Sequence, residues 1–197
     1  MSGTLPLADQ IREVNVESRD PTLVDVTQSG RMQVRKVSGQ RWVLRVRWRR
    51  MRDHLARSLF AFLAAQRGQF ETFDVVAPAF SDTRGVGGSP LVAGANQSGT
   101  TLNVDGFAPN TAGVMLAGDV FRLAHGKVYM LTADADSAAT GAATLQFVPS
   151  LVATPADNEA LTINQVPFTV RLATDSVSYQ LTGRIYEISA DFIEDVL

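Results

Sequence analysis

The chain has 197 residues and a formal net charge of -2, which suits one domain or two small ones. A general nucleic-acid binder is usually clearly basic, so this charge argues against that class. The chain has no cysteine, which excludes disulfides, thiolate catalysis and cysteine zinc sites. Two histidines, His54 and His125, leave little material for a histidine-based metal or catalytic site.

The first 21 residues have no basic start followed by an apolar run, so we expect no signal peptide. No window of the chain approaches 18 uncharged apolar residues, so we expect no transmembrane helix and no membrane insertion.

Residues 41–49 alternate strictly between two kinds of side chain, which predicts a strand with one buried and one basic face. The predicted buried face holds Trp42, Leu44, Val46 and Trp48, and the predicted solvent face holds Arg41, Arg45, Arg47 and Arg49 with Val43. The period then changes over residues 52–66. Leu55, Leu59, Phe62 and Leu63 follow the spacing of a short amphipathic helix, which ends at Gly68. A second strand is predicted to begin at Phe70.

The composition changes near Ser81, where the arginine-rich part of the chain gives way to a part rich in Ala, Gly, Thr and Val. Short strands are predicted at 101–104, 119–123, 128–132 and 144–148, with a tight turn at 125–127. Successive short strands with turn signals between them predict a small antiparallel sandwich or barrel.

Strand patterns return at 168–172 and at 178–193, where we predict one long strand with a bulge at Gly183. Its best partner is the strand at 42–48. The chain is therefore predicted to be mainly β (α+β). Residues 1–82 and 165–197 form a split, β-sandwich-like domain with one packed helix, and 83–164 is an inserted antiparallel β-barrel or sandwich.

The sequence contains no motif that predicts catalysis, so we expect no enzyme and no cofactor. Gly85-Val86-Gly87-Gly88 lacks the spacing of a phosphate loop and is predicted to be an ordinary loop. Asp134 and Asp136 lack the rest of a calcium-loop pattern and are predicted to lie in a solvated loop. His54 is predicted on the helix surface, and His125 in a turn.

The basic face of the strand at 41–49 has three possible uses: an oligomer interface, a solvated face, or contact with nucleic-acid phosphates. The tryptophans face the other way, so they cannot stack bases on the arginine side. The C-terminal segment carries acidic residues that could meet this face in a neighbouring copy: Glu187, Asp191, Glu194 and Asp195. Such a head-to-tail contact closes into a ring or propagates as a filament.

The run RMQVRKVSGQRWVLRVRW, followed by LFAFLAAQRGQFETFDVVAP and by the closing SYQLTGRIYEISADFIEDVL, resembles lambda-type minor tail proteins and distal tail proteins of long-tailed phages. The helix pattern is carried by Leu59, Phe62, Leu63, Gly68 and Phe73. GDVFRLAHGKVYMLTADADSAATGAATLQFVPSL is similar to the extra β-domains of some distal tail proteins.

This resemblance implies a structural protein of the virion, made in the host cytoplasm. Six copies would form a ring at the tail tip and join the tail-tube protein to the baseplate hub and fibre proteins. A carbohydrate- or receptor-binding module is an alternative, with Phe107, Tyr129 and Phe147 as an aromatic platform or, on the simpler interpretation, as core residues. A tail-tube subunit is a further alternative.

Overall fold

The computed structural model describes residues 3–195, and within them the protein is mainly β, with curled sheets and one α-helix. The predicted fold class is therefore confirmed. A 3-10 turn at Ala8–Gln10 comes first, followed by thirteen strands and the helix. The strands are β1 (Ile11–Arg19), β2 (Thr22–Val26), β3 (Met32–Lys36), β4 (Arg41–Trp48), β5 (Phe73–Val76), β6 (Leu91–Val92), β7 (Thr101–Asp105), β8 (Val120–Arg122), β9 (Val128–Leu131), β10 (Ala143–Val148), β11 (Pro167–Leu172), β12 (Tyr179–Thr182) and β13 (Ile185–Glu194); the helix α1 is Asp53–Ala65.

The chain divides into two compact units. The first unit contains Gln10–Phe73 and Val170–Asp195, and the second contains Gly3–Asp9 and Asp74–Thr169. The boundaries fall within β5 and β11. The second unit is wider than the inserted domain predicted at 83–164, which stays a prediction.

In the sheet of the first unit β4 lies between β1 and β13, and β13 also pairs with β12 and with residues 170–172 of β11. Antiparallel pairing of β13 with β4 places Ser189 opposite Arg47 and Ile193 opposite Val43. The predicted partnership of the C-terminal strand with the strand at 42–48 is therefore confirmed. β4 pairs on its other side with β1, where an irregularity between Ile11 and Glu13 leaves Arg12 as an extra residue.

Helix α1 lies within the predicted range 52–66, although it ends at Ala65 and not at Gly68, and it packs on β13. Ala56, Leu59 and Leu63 are buried, while Leu55 and Phe62 are half-buried. Edge-to-face aromatic contacts tie the core together: the Phe73 ring lies 5.4 Å from Phe62 and 5.3 Å from Phe192. Such contacts add to the stability that burial of the rings provides.

Three predictions about this unit are wrong. Residues 178–193 are a hairpin, because Gly183 adopts a φ of 66° in a two-residue turn that pairs Thr182 with Ile185. Glycine adopts this conformation without steric cost, and two-residue hairpin turns require it. The strand after the helix starts at Phe73, since Phe70 lies 70% exposed in the loop before it. Val43, predicted on the solvent face, is 3% exposed.

The second unit contains a separate sheet with the order β6-β7-β10-β9-β8. Four of its five strands, β7 to β10, match the short strands predicted between Thr101 and Val148, and β6 was not predicted. The predicted turn at 125–127 joins β8 to β9. Phe121, Tyr129 and Phe147 pack in one cluster at its centre, with ring centroids 5.2–5.3 Å apart.

We expect Leu59→Ala to lower the free energy of unfolding by about 2–5 kcal/mol, because it removes a fully buried side chain and leaves a cavity. Leu23→Ala is the matched control: Leu23 is 62% exposed, and the same change there should cost about 0.5 kcal/mol or less. Urea denaturation of both variants measures the difference, and equal losses would contradict this account of the core.

Candidate interaction surfaces

The arginines of β4 form a column on the solvent face of the first unit's sheet, and the structure places carboxylates on both sides of it. Arg45 lies between Asn15 of β1 and Asp191 of β13, and Arg47 lies between Glu13 and Ser189. Arg45 Nη2 is 2.6 Å from Glu17 Oε2, and Arg47 Nη1 is 3.7 Å from Glu13 Oε2. The column therefore has acidic partners within its own chain.

The arginines around Glu17 affect its pKa. The Arg19 guanidinium, which donates to Glu17 at 2.8 Å, and the charge of Arg45 together lower the pKa of Glu17 below its ordinary value of 4.5. The pairs are nevertheless solvent-exposed, so they contribute little to stability.

The four acidic residues predicted to face the arginines occupy different environments. Asp191 is exposed beside Arg45, and Glu187 Oε1 lies 2.6 Å from Arg50 Nε. Glu194 is 0% exposed and accepts the Trp42 backbone N–H at 3.1 Å. Asp195 Oδ1 lies 2.7 Å from Arg171 Nη2. Arg41 and Arg49 are exposed.

Residues 22–36 form an exposed hairpin, here called the hairpin arm, which the sequence patterns did not predict. Its two strands, β2 and β3, pair with each other as a two-stranded sheet of their own. Every residue of both strands is exposed. The available signal was the apolar alternation of β2 and β3 around the polar turn Thr27–Arg31.

One face of the hairpin arm is apolar. Val24 lies opposite Val34, and Val26 lies opposite Met32, so the four side chains share a face. They are between 55% and 63% exposed. A two-stranded hairpin alone is marginally stable in water, and contiguous exposed apolar surface marks interaction sites. The arm is therefore the clearest candidate for a protein-binding surface in the first unit.

The second unit holds the side chains that were considered for ligand binding. Phe107, Tyr129 and Phe147 are at most 5% exposed, so they are core residues and form no surface platform. Asp134 accepts the Ala117 N–H and Asp136 accepts the Gly113 N–H, so both carboxylates hold loop backbone. Among residues 3–195, no group of three or more His, Asp or Glu side chains could hold a metal ion.

The two histidines lie where predicted. His54 is exposed in the first turn of α1. His125 lies in the turn before β9, with its Nε2 3.1 Å from the Tyr129 hydroxyl. Burial lowers the pKa of His125 below 6.5.

A buried carboxylate, Asp119, anchors the loop at 83–85. Its side chain is 0% exposed and accepts hydrogen bonds from the Thr83 hydroxyl at 2.8 Å, Arg84 Nε at 2.9 Å and the Leu116 N–H at 2.9 Å. Burial alone would raise the pKa of Asp119, but these donors outweigh it and lower the pKa below 3.8. Gly85 allows the loop to approach Val114, since a Cβ there would lie 2.5 Å from the Val114 oxygen.

Sequence comparison bears on this second unit. Residues 84–166 match the family model described as "Distal tail protein pb9, B domain". The match supports the phage distal tail protein family. It confirms the resemblance predicted from the sequence, and it covers somewhat less than half of the chain, the part similar to extra β-domains. No curated protein matches the chain.

A distal tail protein domain supports a structural role in a phage tail, with a virion location and tail-associated partners. In the part of the chain that the structure describes, no helix has the length and apolar character needed to span a bilayer.

We expect Asp119→Asn to reduce the free energy of unfolding at pH 7 by about 2–4 kcal/mol, because buried donors lose a charged acceptor. The pKa of Asp119 is lowered on folding, so its contribution is present above pH 3.8 and lost as the pH falls below that value. Denaturation of both proteins from pH 7 to pH 3 should show the difference shrinking at the acid end. Asp105→Asn is the control, because Asp105 is a partly exposed carboxylate of the same unit. A pH-independent difference for Asp119→Asn would contradict the role of Asp119 as a charged acceptor with a lowered pKa.

Proposed function

We propose that the chain is a non-enzymatic structural protein of a phage tail tip. In this proposal six copies form a ring that connects the tail tube to the baseplate hub and its fibres. Residues 1–82 and 165–197 are the ring-forming domain, and the inserted domain at 83–164 is a dock for fibre proteins. The family match of 84–166 supports the location in a distal tail protein, and the number six follows from the resemblance to that family.

The exposed apolar face of the hairpin arm is the main observation that supports an oligomer. Its apolar face would stay in water in a monomer, at a cost of about 25 cal/mol for each Å² of apolar surface left unburied. A second copy of the chain is the partner available in every assembly of this protein. A contact between the arm of one copy and a different surface of the next is head-to-tail, and such contacts close into rings.

The charged face of the sheet is the second part of the proposed interface. The proposed interface includes all eight residues predicted from the sequence: Arg41, Arg45, Arg47, Arg49, Glu187, Asp191, Glu194 and Asp195. Asp191 and the four arginines are exposed and can meet a neighbour directly. Glu194, which is buried, and Asp195, whose side chain is 14% exposed, would act by holding the end of β13 against β4 and β11 through Trp42 and Arg171.

We expect the purified protein, or its complex with tail-tube protein, to show six-fold rings in electron micrographs. Val34→Glu should abolish or strongly reduce these rings, because it places a charge at the centre of the apolar face of the arm. Val86→Glu is the matched control, since Val86 is 67% exposed in the second unit and Val34 is 60% exposed. A wild-type protein that stays monomeric and never enters tails would overturn the proposal, and long tubes would favour a tail-tube subunit.

Arg45→Glu should weaken ring assembly at low salt, with a smaller effect at high salt, because salt screens exposed charge interactions in both proteins. Arg184→Glu, at the exposed turn of the β12–β13 hairpin, serves as the charge-reversal control. Analytical ultracentrifugation at two salt concentrations gives the ring fraction. If Arg45→Glu assembles like the wild type, the arginine column serves only the ion pairs within its own chain.

A further inference from the structure

A groove of about 490 Å³ crosses the solvent face of the first unit's sheet. Its volume falls within the range of about 300–1,000 Å³ that is usual for ligand sites. Strands β1, β4, β13 and β12 each contribute to its wall, including Arg12, Glu13, Arg47, Glu187 and Tyr179, and Arg50 lines it just beyond β4. Its lining therefore combines three guanidinium groups with two carboxylates and two aromatic side chains, Tyr179 and Trp48.

The irregularity in β1 explains why a third arginine reaches this groove. Ile11 lies opposite Trp48 and Glu13 lies opposite Arg47, so Arg12 is the extra residue of a β-bulge. A bulge redirects side chains that regular alternation would send to opposite faces. Here both Arg12 and Glu13 line the same groove.

The guanidinium groups remain accessible to a ligand. The Arg47 and Arg50 side chains are each 70% exposed, and their partners Glu13 and Glu187 are 58% and 44% exposed. Arg12 is exposed and has no acidic partner among residues 3–195. Since exposed ion pairs are weak, an incoming carboxylate can share or replace Glu13 and Glu187 at little cost. Arginine is well suited to that contact because its planar donors match a carboxylate.

The two carboxylates distinguish among possible anions. A nucleic-acid backbone presents continuous negative charge and requires a continuous basic track. In this groove Glu13 and Glu187 interrupt the track and repel such a backbone. A peptide with separated acidic side chains can place its carboxylates at the arginines and neutral residues beside the glutamates. Tyr179, which is 45% exposed, adds the amphipathic ring that is enriched at protein interfaces.

We propose that this groove binds an extended acidic peptide segment of a partner protein, with Arg12, Arg47 and Arg50 as the carboxylate-binding residues. This function goes beyond ring formation. Arg47 and Glu187 also belong to the proposed ring interface, whereas Arg12 and Arg50 belong to the groove alone. Changes at Arg12 and Arg50 therefore test the groove separately from the ring.

The test uses the full-length protein and a fluorescein-labelled peptide of alternating glutamate and glycine, with a glutamine–glycine peptide as the matched probe. Fluorescence anisotropy should show binding of the glutamate peptide that weakens with salt, and no binding of the glutamine peptide. Arg12→Gln and Arg50→Gln should each weaken binding about tenfold, the loss expected when a charge-assisted hydrogen bond is removed. Arg184→Gln, outside the groove, should bind like the wild type.

Circular dichroism of each variant verifies the fold, and sedimentation gives the oligomeric state in parallel. Equal binding of the two peptides, or unchanged affinity in both groove variants, would overturn the proposal. Displacement of the peptide by single-stranded DNA or polyphosphate at equal charge concentration would also overturn it, in favour of a phosphate site. A changed oligomeric state with unchanged peptide affinity would assign the groove to contacts between copies. Rings that persist while peptide binding is lost would support both proposals.

Discussion

The pairing of β13 with β4 is the constraint on which the first unit depends. It joins residues 185–194 to residues 41–48, across most of the length of the chain. Both strands alternate, so a single register buries Trp48 and Phe192 together and sends Arg45 and Asp191 to the solvent. A shift by one residue would turn the buried side chains of β13, Tyr186, Ile188, Ala190 and Phe192, to the solvent. Helix α1 then has one apolar surface on which it can pack.

The same register decides the chemistry of the arginine column. Considered alone, Arg41 to Arg49 is a basic strand that requires a partner. In the sheet it lies between β1 and β13, and both of these strands contribute carboxylates. Glu17 and Glu13 reach Arg45 and Arg47 within the chain. Arg45 and Arg47 thus already have acidic partners in the monomer. The exposed apolar face of the hairpin arm is therefore the stronger argument for assembly.

The two units divide the charge of the chain unequally. The second unit holds only three of the 18 basic residues, Arg84, Arg122 and Lys127, whereas it holds nine of the 20 acidic residues. In that unit a carboxylate such as Asp119 works as an internal anchor, because burial makes each hydrogen bond to it more valuable. In the first unit the arginine column lies on the sheet surface, where it is available for contacts with other molecules, and Glu194 is the buried exception.

Much of this arrangement was predictable because hydrophobic period reports directly on local structure. The alternation of Trp42 to Trp48, the helical spacing of Leu55 to Leu63 and the short strands near Phe121 and Phe147 predicted real elements. The errors arose where local patterns permit two structures. A glycine in an alternating run fits both a bulge and a hairpin turn, and Gly183 forms the turn. Val43 is buried although its neighbours in the alternation are exposed, so a pattern within one strand could not predict its environment.

The amino-acid pattern alone was sufficient to predict the class of fold, the division into basic and small-residue segments, and a resemblance to distal tail proteins that the match of 84–166 supports. The first two follow from composition and from periods that act over a few residues. The three-dimensional fold was needed to establish which charges are neighbours, that Glu194 is buried, and that Arg12 lines the groove because of a bulge. Those outcomes depend on register between strands that are distant in the chain, and no local pattern specifies that register.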